Sequence, residues 1–118
     1  MTDLRKIDAL VAEHVMGLPV SYDSEYAHLP SIIIDQATGS YDAIPHYSTD
    51  IAAAWEVVEK LCDESIPENE QYSVVVSPYW CEFEHRIYQG EPDAFHAYAD
   101  TAPLAICLAA LKAKNIQL

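Results

Sequence analysis

The stretch from Ala102 to Leu111 contains no charged or strongly polar side chain, and it most constrains what this chain can fold into. Asp100 or Thr101 precedes it as a helix cap, and Pro103 then falls in the first turn, where a missing N–H costs little. Lys112 and Lys114 follow, complementing the negative end of the helix dipole. Leu104, Ile106, Cys107, Leu108 and Leu111 leave this predicted helix almost no polar face, so it must be the most buried element of the fold. A bilayer span needs about 20 apolar residues, so the run is too short to cross a membrane.

Two further helices are predicted. Leu4, Ile7, Val11 and Val15 recur at spacings of three and four, with Leu10 widening the stripe, from Thr2 or Asp3 to about Met16. Gly17 supplies a left-handed cap and Pro19 bars continuation. In the middle of the chain, Ser48 or Thr49 caps a helix with Asp50 in its first turn. Ile51, Trp55, Val58 and Cys62 fall on one face of it, with Ala54 and Leu61 beside them. Glu56 and Lys60 stand four apart in the order that favours a surface ion pair.

Strand signals fill the gaps. Ile32, Ile33 and Ile34 within Ser31 to Asp35 form a β-branched triplet. A turn at Ala37 to Ser40 then returns Tyr41 to Ile44 as its partner before Pro45. Tyr72 to Val76 and Trp80 to Tyr88 form a second pair about Ser77-Pro78. Cys81, Phe83, His85 and Ile87 alternate there with Trp80, Glu82, Glu84 and Arg86, the pattern of an antiparallel strand covered on one side. Residues 22–30, the acidic segment Asp63 to Glu70 and Gln89 to Asp93 read as loops or turns. The predicted order is α-β-β-α-β-β-α: one domain over residues 1–118, of α+β class, with three helices on a mostly antiparallel sheet.

Charge narrows the partners. The 118 residues carry 19 acidic against 6 basic side chains, a net charge of −13. Binding to DNA, RNA or an anionic membrane requires clustered Lys and Arg to neutralise phosphates, and these cations are scattered. Only 3 glycines are present, which argues against a glycine-rich phosphate loop. The N-terminal segment Thr2 to Lys6 leads into an amphipathic pattern, so no secretory leader is expected. With three dispersed cysteines, Cys62, Cys81 and Cys107, a reducing cytoplasm is expected, with the thiols packing as small apolar groups.

Catalytic and metal chemistry finds little support. Cys81, His85 and His96 come closest to a ligand set, but Cys81 and His85 lie nearly two residue pairs apart along one predicted strand, too far for one tetrahedral ion without a bend. Cys62 and Cys107 fall on apolar helix faces, which raise a thiol pKa, and no serine stands in a nucleophile elbow. No metal, cofactor or catalytic residue is expected. Recognition has two better candidates. The predicted helix starts at Tyr47, Ser48, Thr49 and at Asp100, Thr101 offer N–H groups and hydroxyls to an anion, although capping alone accounts for both. Eight tyrosines in so short a chain, together with Trp80, provide stacking and contact area; Tyr79 and Trp80 are the candidates among them. Arg86, Arg5 and Lys6 are the cations that could make a pocket locally basic.

Three segments together resemble one family: Ala12-Glu13-His14-Val15-Met16-Gly17, the run from Tyr47 to Leu61, and the run from Ala99 to Leu111. They are similar to the small phage and prophage proteins with a phage ABA sandwich domain. Leu18 departs from the pattern, which tends to place tryptophan after the Met-Gly pair. The resemblance implies an α/β/α sandwich, bacteriophage or prophage origin and a bacterial cytoplasm, and it brings no catalytic residues. The function expected is that of a non-enzymatic accessory protein. It would sequester a small host nucleotide immune signal in a homo-oligomer, an anti-defence role. The rival is an acidic protein that docks on a host protein.

Overall fold

The computed structural model describes residues 4–21, 31–35, 40–63, 70–87 and 93–116. Helix α1 (Leu4–Leu10) runs directly into a π-helical segment (Val11–Val15). The wider turn is visible in the Met16 N–H, which donates to the Val11 carbonyl five residues back at 2.9 Å, and the Leu18 N–H closes the helix end by donating to the Ala12 carbonyl at 2.9 Å. Val11, Ala12 and Val15 are all buried there, while Glu13 and His14 pair at the surface. Gly17 ends the segment at φ 71°, the left-handed cap expected. A Cβ at Gly17 would meet nothing within 4 Å, so the backbone angle and not crowding favours glycine.

Strands β1 (Val20–Ser21), β2 (Ser31–Asp35) and β3 (Ser40–Ala43) form an antiparallel sheet in that order. The β2–β3 hairpin is the one the isoleucine triplet predicted, with Ile32 opposite Asp42 and an irregularity between Ile33 and Asp35. The segment read as a loop at 22–30 lies outside the described residues, as does most of the acidic loop after residue 63.

Helix α2 (Ile51–Asp63) begins later than its cap signal. Asp50, not Ser48 or Thr49, caps it, accepting from the Ala52 N–H at 3.0 Å. Its buried face is Ala54, Val57, Val58 and Leu61, whereas Ile51 and Trp55 are about half exposed, at 52% and 47%. The expected Ile51–Trp55 stripe is therefore the rim of the interface. Two adjacent stripes of α2 are apolar, and packing against the last helix, α3 (Ala102–Ala113), selects the one headed by a small residue.

The second sheet contains β4 (Glu70–Ser77), β5 (Trp80–Ile87) and β6 (Asp93–Tyr98), antiparallel and in that order. Strand β6 was not expected: residues after the turn at Gln89 to Asp93 had no predicted structure. The element order gains one strand in each half of the chain, β1 and β6. Val74, Val76, Cys81, Phe83 and Ala97 lie on the inner face, and the last three are at most 3% exposed. This alternation bears out the one-sided pattern of β5 over Trp80 to Glu84, where Cys81 and Phe83 are buried.

Helix α3 is the center of the fold. It packs on β5 and β6 on one side and on α1, the π-helical segment and α2 on others. Ala105, Ile106, Cys107, Ala109, Ala110 and Leu111 are buried, as a helix without a polar face requires. Thr101 caps it, accepting from the Leu104 N–H at 3.5 Å, with Pro103 in the first turn. The protein is an α+β sandwich of three helices and antiparallel sheet, as predicted.

Candidate functional site

The residues around the start of α2 fasten the chain to itself. Asp8 of α1 is 1% exposed, and its Oδ1 accepts from the Ser48 N–H at 2.8 Å. Its Oδ2 accepts from Arg5 Nη1 at 2.7 Å, and Arg5 Nη2 donates to the Ile44 carbonyl at 2.7 Å. The same Nη1 lies 3.1 Å from His46 Nδ1, and Ser48 Oγ donates to the Leu4 carbonyl at 3.4 Å. The anion that these N–H groups were expected to take from outside is supplied by the chain's own carboxylate. Tyr47 is buried beside this network, and Thr49 is exposed. Arg5 is committed to the network as well, while Lys6 is exposed.

Burial also governs the ionisable groups near the core. It pushes the Tyr47 phenol up to about 12, with smaller contributions from Glu56, Cys107 and Asp8. Burial raises the Cys81 thiol to about 12 as well, and it raises Cys107 and Cys62. An activated thiol needs the opposite shift. The metal candidates diverge: Cys81 pairs with Ala97 and points inward, whereas His96 pairs with Glu82 and belongs to the opposite face. No group of three metal-binding side chains converges among the described residues.

A pH dependence follows. In the unfolded chain the thiols and phenol ionise near their ordinary values of 9.0 and 10.0, while the folded chain resists ionisation to higher pH. The folded state thus retains protons that the unfolded state has lost, and stability falls as pH rises across that interval. The contribution is complete below about pH 9 and is lost towards pH 12. The urea midpoint, followed by circular dichroism, is expected to hold from pH 7 to 9 and then drop. A variant carrying Cys81→Ala and Cys107→Ala should drop less steeply, and an unchanged slope would refute the assignment.

The other predicted residues meet at one end of the second sheet. The Ala99 N–H donates to the Tyr79 carbonyl at 3.0 Å, tying the β4–β5 turn to the start of α3 and so to Asp100 and Thr101. Trp80 lies opposite Tyr98, with ring centroids 6.4 Å apart at 43°. His96 meets the edge of the Tyr98 ring at 6.0 Å and 81°. Tyr79 and Tyr98 are 65% and 73% exposed, high for aromatic side chains. Arg86 belongs to the same face of β5 by alternation but pairs with Gln71, six residues and roughly 20 Å from Trp80. The sequence brought Tyr79, Trp80, Asp100 and Thr101 forward but not Tyr98, His96 or Val75 as their neighbours. The alternation of Phe95 and Ala97 with Ala94, His96 and Tyr98 is the signal that would have found the two β6 residues.

Beside this cluster a groove of ≈ 580 Å³ runs between β6 and the C-terminal half of α3. Its lining includes Ala97, Leu108, Leu111 and Ile116 as apolar surface, with Tyr98, Lys112 and Asn115 as the groups able to polarise or stack. Lys112 Nζ donates to the His96 carbonyl at 2.8 Å, which both covers part of the open β6 edge and fixes the ammonium at the groove. Asn115 takes a left-handed conformation at φ 62° as the chain leaves α3.

The model of the phage ABA sandwich domain matches residues 9–111. A 2.0 Å crystal structure of a phage protein from Bacillus cereus ATCC 14579 superposes with a TM-score of 0.67 at 29% identity, covering 100% of this chain and 93% of that one. No protein of curated function matches the chain. No described helix is long and apolar enough to cross a membrane.

Proposed function

The chain belongs to the phage ABA sandwich domain family, and from that premise we propose that it is a non-enzymatic phage accessory protein that binds a small nucleotide-like molecule of the host. The groove between β6 and α3 carries this reading. Its ≈ 580 Å³ falls within the range of small-molecule sites, and its apolar floor with a few polar groups is their usual composition. Tyr98 offers a ring on which a base can stack, and the Lys112 ammonium meets a phosphate in a chain otherwise dominated by carboxylates. Sequestration of an immune signal in the host cytoplasm, by an oligomer, is the role this chemistry suits.

The test is isothermal titration of the purified protein with a panel of nucleoside monophosphates and cyclic mono- and dinucleotides, paired with native mass spectrometry for subunit number. Saturable binding of one panel member is expected, weakened at least tenfold by Lys112→Ala. Absence of binding across the panel, or binding indifferent to Lys112, overturns the reading. Among the described residues one observation favours the rival, protein docking: the exposed apolar side chains on the second sheet.

A further inference from the structure

The outer face of the second sheet adjoins the groove at Tyr98 and extends away from it across β5 and β4. Strand alternation and register place Ser73, Val75 and Ser77 of β4, Trp80, Glu82 and Glu84 of β5, and Ala94, His96 and Tyr98 of β6 on it. Val75 is 55% exposed at its middle, and Tyr98 and Tyr79 stand open at one end. All the described helices that contact this sheet do so from the side of Cys81, Phe83 and Ala97. A half-exposed valine, a tryptophan and a tyrosine on one sheet face, with Tyr79 in the turn at its end, resemble the anchors of protein interfaces more than ordinary surface.

Charge decides what fits there. Glu82 lies one row from the Trp80–Tyr98 pair on this face, and the chain as a whole carries −13. Two copies would each bring a net charge of −13 to the contact, a repulsion that opposes self-association on this face. An arginine-bearing surface satisfies both features, because guanidinium pairs with carboxylate and stacks on Tyr or Trp rings.

We infer that the outer face of the β4–β6 sheet docks a basic, arginine-rich surface of another protein, and that it is not a contact between copies of this chain. The two readings share Tyr98 but are separable at residues each has to itself: Lys112 lines the groove, and Val75 and Tyr79 belong to the face and its rim.

The experiment is a two-dimensional amide and indole NMR titration of the full chain with a nona-arginine peptide, repeated with nona-lysine. Shifts are expected at Val75, Tyr79, the Trp80 indole, Glu82 and Tyr98, with arginine binding at least threefold tighter than lysine. A tenfold loss is expected for a Val75→Ser, Tyr79→Ser variant, whose melting temperature should stay close to the parent's because both side chains are exposed. Shifts centered instead on the acidic surface of α2, or equal affinity for both peptides, overturn the inference. So does a concentration-dependent dimer that protects the same face.

Discussion

Replacing Asp8 by alanine is expected to destabilise the protein by about 3 kcal/mol, close to the loss seen when one partner of a buried ion pair is removed. The carboxylate is 1% exposed and serves two donors at once, Arg5 Nη1 and the Ser48 N–H. Alanine leaves the Ser48 amide buried without its acceptor, and an unsatisfied buried donor costs about 1–3 kcal/mol on its own. Arg5 retains the Ile44 carbonyl, and its side chain is 29% exposed, so its charge reaches water and the total stays at the lower end of the range for buried pairs. Asp8→Asn keeps an oxygen for Ser48 but loses the charge, and it should fall between alanine and the parent. Urea denaturation of the three proteins at pH 7 measures this order. If alanine and asparagine cost the same, the Ser48 contact contributes nothing.

Phe83→Ala should cost about 3–5 kcal/mol, the usual range for truncating a fully buried aromatic side chain. Phe83 is 0% exposed, lies between Val74 and Phe95 in the middle strand, and belongs to the sheet face against which α3 packs. Neighbouring strands hold their backbone hydrogen bonds, so the sheet cannot collapse fully into the space the ring leaves. By contrast, Val75→Ala, one position over from Val74 on the opposite face, should change stability by less than about 0.5 kcal/mol, as exposed substitutions do. The pair tests the facing of the second sheet by thermal or urea denaturation. A comparable loss in both variants would mean the outer face is covered.

Much of the architecture was legible because it is local. The run from Leu104 to Leu111 declared its burial by having no polar face, and α3 is indeed the element with contacts on most sides. Gly17, Thr101 and Pro103 performed the terminating and starting roles their chemistry fits. Strand β6 was not legible, since its apolar alternation rests on Phe95 and Ala97 alone over six residues. The face of α2 was read correctly at Ala54, Val58 and Leu61 but centered too near Ile51 and Trp55, which are as apolar as the buried Val57. Choosing between them needs the partner helix.

The candidate site was legible only in pieces. Tyr79, Trp80, Asp100 and Thr101 were singled out, and the Ala99–Tyr79 hydrogen bond brings them together. Tyr47 and Ser48 were singled out for the same anion chemistry, yet they sit with Asp8 in a buried network. An acidic residue within a helical stripe reads as surface until something 40 positions away in the chain donates to it. Lys112 was read as a complement to the helix dipole, and only the proximity of β6 makes it the cation of a groove.

The almost wholly apolar run before Lys112 therefore determined by itself that the chain folds around one buried helix, and the three familiar segments determined the family. Both follow from side-chain chemistry repeated at short spacing, which a sequence displays directly. What the tertiary structure alone decided was which groups meet: Asp8 with Ser48, Tyr98 with Trp80, Lys112 with the β6 edge. Those meetings depend on strand register and on which helix stripe faces inward, and both are set by packing between segments far apart in the chain.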